Sequence, residues 1–475
     1  METMPKAAMS RKKNGATKTR LKATGGTLKT KDENKLISIR IPEGVIEKLR
    51  GVAGKKGDIG YQQLIKTYIT EGLTNEAGGE KNESVKRGSV FLRHAVAPRD
   101  NAELVDESLE AIGTPGTVAK SGAHELTTSE VIAEDIRELA KSLEDYWPHF
   151  SGQTFLITGA FGFLGRYFVL LLKYLNQEGF LEKTVKALLL DNFVTGYEQR
   201  VISDGNLVFR RHDVTMPLVV DQPVDYIIHA AGIASPVYYT KFPIETMDVG
   251  TIGTRNMLEL ARQQKVKSFI FMSSSEVYGD PDNKHVPTSE EYNGNVSVSG
   301  PRSCYDESKR FGETMCQAFW RVYGVPVKII RPFNVYGPGI RPDDFRVLPN
   351  FIEHALRKEP LPIHGAGHNT RSFCYINDEV EGIFRVLFSD ANGEAFNVGN
   401  TGPEISVREL AELVTEAMPF KVDIVNIDPP HAVYASSDPK RRCPDISKLT
   451  KLTGFKPRYD LKKGLARTIK WFQTR

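Results

Sequence analysis

Tyr305 and Lys309 stand at i and i+4 in Tyr305-Asp-Glu-Ser-Lys309, a spacing that sets a phenol and an ammonium one above the other on a helix face. A hydroxyl that surrenders a hydride needs a base for its proton. Tyrosine is a poor base at its usual pKa of ~10, but a cation beside the phenolate favours the charged form and moves proton abstraction toward working pH. The hydride needs an acceptor. Thr158-Gly-Ala-Phe-Gly-Phe-Leu-Gly165 follows the strand-like Phe155-Leu-Ile-Thr158 and precedes the apolar helical run Tyr167-Phe-Val-Leu-Leu-Leu172. Gly159, Gly162 and Gly165 allow a tight turn, close approach of backbone to a pyrophosphate and close packing of helix on strand. Phe163 and Leu164 begin the helix whose free N–H groups would meet the phosphates.

One Tyr-x-x-x-Lys is expected by chance in a chain of this length, so its weight comes from order along the chain. The glycine loop is followed by Asp191 at the end of the second strand, by Ser273-Ser-Ser-Glu-Val-Tyr-Gly279 after the fifth, and then by Tyr305 and Lys309. Asp191 is placed to bond an adenosine ribose, and its carboxylate would repel a 2′-phosphate. With Asn192 and Phe193 following rather than Arg or Lys, NAD is expected over NADP. Asp213, with Val214 beside it, is a candidate for the adenine edge, and Ala230-Ala231-Gly232 can let backbone approach the cofactor. Ordinary turn chemistry would also account for these.

Positioning such groups takes an α/β doubly wound parallel sheet, a Rossmann fold. Short apolar runs at 154–158, 185–190, 207–209, 226–229, 268–272 and 327–330 alternate with helical stretches, and ligands of such sheets sit beyond the carboxyl ends of the strands. The 475 residues allow two or three domains. The expected organisation is a disordered basic arm over 1–35, a small module over 36–73, a flexible linker over 74–127, a lead-in helix over 128–150, an NAD-binding Rossmann domain over 151–335 and a smaller, mainly substrate-binding part over 336–475. Thr127-x-x-Glu130 reads as a capping box for the lead-in helix, with Ile132, Ile136, Leu139 and Leu143 on one face.

Net charge is only +4, but residues 1–35 carry ten Lys and Arg against three acids, the composition of a solvated arm. In the following module Leu36-Ile-Ser-Ile-Arg-Ile-Pro42 alternates, with Ile37, Ile39 and Ile41 on one side, and Val45, Ile46, Leu49, Val52, Leu64, Ile65, Tyr68 and Ile69 recur at helical spacing. The module resembles the antitoxin-type ribbon-helix-helix proteins, which implies pairing of two chains and possible DNA contact through 36–73. The alternative is a dimerisation stub or a fusion remnant. Cys304, Cys316, Cys374 and Cys443 have no paired or zinc-ligand spacing, so reduced thiols and no metal are expected. No run approaches the length of a membrane span and no signal-peptide core opens the chain. The expectation is a soluble, cytoplasmic protein with no membrane partner.

From about 153 to 473 the chain resembles the extended short-chain dehydrogenase/reductases, and within them the UDP-glucuronate decarboxylases. The blocks that carry the likeness are Asp191-Asn-Phe-Val-Thr-Gly196, Arg211-His-Asp-Val214, Thr251-Ile-Gly-Thr254, Ser275-Glu-Val-Tyr-Gly-Asp-Pro281, Gly300-Pro-Arg-Ser-Cys-Tyr-Asp-Glu-Ser-Lys-Arg310 and Thr370-Arg-Ser-Phe373. The resemblance implies a catalytic triad of Ser274, Tyr305 and Lys309, with Glu276 at the sugar and Arg371 near the substrate carboxylate. It implies nucleotide contacts from Asn334 and Arg442, and a homodimer. The implied reaction is NAD-dependent conversion of UDP-glucuronate to UDP-xylose through a 4-keto sugar acid with return of the hydride. Alternatives are a nucleotide-sugar 4,6-dehydratase, a C4 epimerase, or a DNA-binding regulator that senses a nucleotide sugar. Three positions depart from the pattern. Gly232-Ile233 replaces a Ser-Pro, Gly250 stands where Asn is usual, and Gly339 stands where an Arg is often seen, with Arg341 and Arg346 nearby.

Overall fold

The computed structural model describes residues 26–29, 36–39, 128–195, 205–341, 344–428 and 438–474. The chain divides into two compact units, Met1–Glu103 and Leu104–Arg475. In the first, strand Leu36–Ile39 pairs antiparallel with Gly26–Lys29. Residues 26–29, assigned to a disordered arm, contain a strand, since a short segment around Thr27 and Leu28 can satisfy its backbone against a neighbouring edge. The helices expected between 45 and 69, and the linker after them, lie outside the described residues.

The second unit opens with helix α1, Thr128–Ser142. Its expected apolar stripe is realised, for Ile132, Ile136, Leu139 and Leu143 are all buried, and the helix packs on three others of the unit. Strand β1, Thr154–Thr158, leads through the glycine loop into α2, Phe163–Gln177. Then come β2, Lys186–Asp191, β3, Leu207–Arg211, β4, Tyr226–His229, α3, Thr254–Gln264, β5, Ser268–Met272, α4, Ser303–Tyr323, and β6, Val327–Pro332. The seventh strand of the sheet, β7, is Glu394–Val398. It comes from the part that the sequence sets aside for substrate, so the C-terminal segment completes the nucleotide-binding sheet as well as covering it.

All seven strands run parallel in the order β7-β6-β5-β4-β1-β2-β3. Strands buried on both faces read as continuous apolar runs, and Phe155-Leu-Ile157 and Ala187-Leu-Leu-Leu190 are buried throughout. The chain reverses its winding direction between β1 and β4, which makes the crevice beyond their carboxyl ends the expected ligand site. After β6 the chain builds small sheets. Thr370–Arg371 lies between Ile405–Ser406 and Arg441–Arg442, and Leu361–His364 pairs with Ile424–Ile427. Helix α5, Ile376–Leu387, packs on β5, β6 and β7 of the parallel sheet, and helix α6, Leu461–Gln473, packs on α1. No helix of the described residues is long and apolar enough to cross a membrane, and among those residues no group of three His, Cys, Asp or Glu side chains is arranged to hold a metal ion.

Candidate active site

Strand β1 ends at Thr158, whose Oγ1 accepts from the Ala231 N–H at 3.0 Å and bonds His229 Nδ1 at 2.8 Å. Burial and the nearby Lys309 charge push His229 down to about 3, so a neutral imidazole ties the glycine strand through Nε2 to Thr254 Oγ1 at 3.3 Å. Gly159 has φ 64, and a Cβ there would stand 2.8 Å from the Ala230 carbonyl oxygen. A Cβ on Gly165 would stand 2.0 Å from the Gly159 carbonyl oxygen. Gly162 begins α2 in an extended conformation with no side-chain cap, which leaves the first-turn N–H groups, including those of Phe163 and Leu164, directed at whatever anion enters the loop. Asp191 is held by the N–H groups of Phe161 at 3.0 Å and Phe193 at 2.8 Å. Burial raises its carboxyl pKa and those donors oppose the rise. Asn192 Nδ2 donates to Asp213 at 3.2 Å, and Asp213 also accepts from Thr215. Val214 packs beneath this corner against Gly253. A cradle that excludes side chains, an open helix start and an anchored carboxylate one strand away fit a dinucleotide.

The cofactor end meets the chemistry at Gly232, where a Cβ would lie 3.2 Å from Lys309 Nζ. Lys309 donates to the Met272 carbonyl oxygen at 2.7 Å and lies 5.7 Å from the centre of the Tyr305 ring. Burial lowers its pKa to about 8, against the opposing charge of Glu313. Tyr305 is buried, stacks on Tyr239 with ring centres 5.3 Å apart and is hydrogen-bonded with Ser274. Burial pushes its phenol up to about 12, the Ser274 bond opposes this, Glu276 and Asp306 push further up, and Arg346 pulls down. Lys309 is anchored to a backbone carbonyl beside the ring, and Arg346 is a second cation that favours the phenolate. Arg346 is itself paired with Asp344.

Beside Tyr305 lies a cluster of charges. The 3₁₀ turn Ser275–Tyr278 carries Glu276, with Ser274 Oγ capping it by accepting from the Glu276 N–H at 3.2 Å. The Glu276 carboxylate bonds Arg302 and Arg442 Nη2, the latter at 2.8 Å. Burial would raise its pKa, but Arg302 and Arg442 hold it well below the usual carboxylate range. Arg302 also reaches Asp438 at 3.2 Å and lies near Asp306. Arg371 Nη2 bonds Asp438 at 2.7 Å. Arg442 Nη1 reaches Asn334 Oδ1 at 3.4 Å, and Asn334, at φ 44, donates to the Ser372 carbonyl at 2.8 Å. Arg442 Nε is buried and has no hydrogen-bond partner among the described residues.

Ser274, Glu276, Tyr305, Lys309, Asn334, Arg371 and Arg442, drawn from segments far apart in the chain, thus converge. Arg302, Arg346, Asp306 and Asp438 complete the cluster and were not singled out. Arg302 carried a signal, because it lies three residues before Tyr305 on the same helical register, whereas Asp438 carried none. The departures from the family pattern have packing reasons. A Cβ on Gly250 would stand 2.7 Å from Ser308 Cβ, and one on Gly232 would press on Lys309. Gly339 has φ 90, backbone that favours glycine.

A parallel sheet with a dinucleotide cradle, and a Ser-Tyr-Lys group beyond its strands, defines an NAD-using oxidoreductase-type fold. The chain belongs to the NAD dependent epimerase/dehydratase family, whose model matches residues 155–399. Among similar proteins, UDP-glucuronic acid decarboxylase 6 of Arabidopsis thaliana is 41% identical over 318 residues, 66% of this chain and 87% of the relative. UDP-glucuronic acid decarboxylase 1 of Xenopus tropicalis is 39% identical over 356 residues, 72% of this chain and 80% of the relative. Among solved structures, UDP-glucose 4-epimerase of Thermotoga maritima with UDP-glucose has a TM-score of 0.59 at 26% identity, covering 68% of this chain and 99% of that one. The dTDP-glucose 4,6-dehydratase of Streptomyces venezuelae with NAD bound has the same TM-score and identity, covering 68% and 97%.

Proposed function

We propose that this protein decarboxylates UDP-glucuronate to UDP-xylose with NAD as a recycled cofactor. The observation that carries the reading is the junction of the Ser274–Tyr305 pair with the Glu276–Arg302–Arg371–Arg442 cluster, in a chain about 40% identical to UDP-glucuronic acid decarboxylases. NAD, when bound, accepts a hydride from the sugar and gives it back, and its cationic ring adds the positive charge that Tyr305 needs to ionise.

Tyr305, bonded to Ser274, takes the C4 hydroxyl proton as the C4 hydride leaves. Lys309, fixed to the Met272 carbonyl, holds position beside the phenol. Oxidation at C4 places a ketone β to the C5 carboxylate, so the electrons of the breaking carbon–carbon bond have an acceptor and CO₂ departs. Protonation at C5 and reduction at C4 complete the cycle. Glu276 orients the sugar, Arg371 holds the carboxylate or guides the proton donor, and Asn334 and Arg442 bind the diphosphate. Asp191, Asn192, Asp213, Val214, Ala230 and Ala231 line the adenosine and nicotinamide walls.

A dehydratase needs an acid for the C6 hydroxyl. One dehydratase group places Asp where this chain has the buried Ser275, which weighs against that group, whereas GDP-mannose dehydratases carry the same Ser-Glu. The test is incubation with NAD and UDP-glucuronate while CO₂ and UDP-pentose are followed. Absence of CO₂ would refute the reading.

Self-association is the second part of the proposal. Phe311 on α4 is exposed, as are Ile244, Met247 and Ile252 on the segments packed against that helix, which supports a homodimer joined through these helices. Phe311→Glu should convert a dimer to a monomer in light scattering. DNA contact through 36–73 is tested by a gel shift with and without residues 1–75, where identical mobility of both forms refutes it.

A further inference from the structure

Asp438 sits where a carboxylate is most wanted. Its Oδ1 accepts from Arg302 Nη1 at 3.2 Å and its Oδ2 from Arg371 Nη2 at 2.7 Å, with Asn369 Nδ2 at 3.4 Å from Oδ2. The arginine side chains are 7% and 8% exposed, whereas that of Asp438 is 35% exposed. Both guanidinium groups are fixed from elsewhere. Arg302 is bound to Glu276 through Nη2, and Arg371 donates Nη1 to the carbonyls of Thr370 at 2.8 Å and Lys440 at 3.3 Å. The two forks therefore stay in place if Asp438 turns away, and what remains is one donor for each oxygen of a carboxylate.

The geometry points to Asp438 as a built-in occupant of the substrate-carboxylate subsite, with Arg302 as its second arm, displaced when a sugar acid binds. This rests on the decarboxylase reading above and adds to it a residue and a selection rule. Arg302 keeps Glu276 when Asp438 leaves, but the buried Arg371 loses the carboxylate it pairs with, which is costly unless another anion replaces it. Exchange of one carboxylate for another keeps its charge matched, so a uronic acid can displace Asp438 at little electrostatic penalty. A neutral hydroxymethyl group cannot. It would leave Asp438 in place and so meet a filled subsite, which is selection by an internal competitor rather than by an added contact. The subsite is assigned to the carboxylate rather than the diphosphate because Arg302, the residue at the N-cap of α4, precedes Tyr305 by three positions at the reacting end, while Arg442 extends toward Asn334.

The test compares three probes on full-length wild type and Asp438→Asn, each saturated with NAD: UDP-glucuronate, UDP-glucose and UDP. Removal of the competing charge should tighten UDP-glucuronate binding about tenfold while UDP-glucose and UDP keep their affinities. An unchanged ratio of UDP-glucuronate to UDP-glucose affinity overturns the proposal. An equal gain for UDP overturns it too, by assigning the clamp to the diphosphate. Should Asp438→Asn fold poorly, Arg302→Gln interrogates the subsite from the other side. It should weaken UDP-glucuronate at least about tenfold and leave UDP unchanged, and equal loss for both probes refutes the assignment. CO₂ release by wild type is measured separately, so failure of the reaction and failure of the subsite are told apart.

Discussion

At the scale of single residues, Tyr305 is asked to be a base while burial holds its phenol at about 12, so the phenolate forms only where positive charge is delivered to it. Tyr305→Phe is expected to lower CO₂ release by about 10²–10⁴-fold with NAD affinity retained in a fluorescence titration. Glu276→Gln leaves Arg302 and Arg442 without their shared anion and should lower kcat at least about tenfold, roughly 1.4 kcal/mol of barrier, again with NAD binding intact. Lys309 has a pKa depressed by burial to about 8. It is cationic below that pH and neutral above it, so a role that needs its charge is present on the acid side and lost on the alkaline side. The kcat profile should fall above about pH 8, and Lys309→Arg, whose guanidinium keeps its proton, should lack that fall in whatever activity it retains. Tyr305 and Lys309 were legible because they stand four apart in one motif, and Glu276 because it lies in a block that carries the family likeness. The Arg302–Asp438 pair spans 136 positions, and no local pattern reports a contact of that range.

At the scale of elements, strand type and order followed from apolar runs at regular intervals, and the last strand did not. Glu394–Val398 was lost among short segments of the C-terminal part, because membership in a sheet is decided by a partner, here β6, rather than by the strand's own residues. The departures at glycines were visible in the sequence, but the neighbours that account for them were not. Gly250 lies in a π-turn, Val249–Gly253, pressed against Ser308 of α4. Installing the usual residue, Gly250→Asn, should therefore displace α4 and lower both melting temperature and turnover, and a gain of activity would refute this account. Gly165→Ala places a methyl 2.0 Å from the Gly159 carbonyl oxygen, which no side-chain adjustment can relieve. It should abolish NAD binding in the same titration.

At the scale of the whole catalytic unit, helix α1 is packed into the core. Its Asp135 is fully buried and accepts from Tyr167 at 2.9 Å and Tyr375 at 2.8 Å, while Arg467 of α6 pairs with it at 2.6 Å. Burial raises the carboxyl to about 6, with Arg467 as the main opposing influence. Tyr167 belongs to the cofactor helix α2, so one carboxylate joins the first helix, the cofactor helix and the last. Sequence periodicity revealed the apolar stripe of α1 but not this polar hub, whose partners Tyr375, 240 residues downstream, and Arg467, further still, lie beyond any local pattern. Removing one member of a buried ion pair costs about 3–5 kcal/mol, so Asp135→Ala should lower the denaturant midpoint by a corresponding amount, as read by circular dichroism. An unchanged midpoint would show the hub to be dispensable.

That hub also governs how the protein comes into being on the ribosome. Asp135 is synthesised well before its partner Arg467, so the ionic knot cannot be tied until α6 has been translated, and closing so long a loop makes it a late event in folding. A nascent chain stalled before α6 emerges should therefore hold an unsatisfied acid in its apolar interior and stay vulnerable to proteases, and emergence of α6 should seal it.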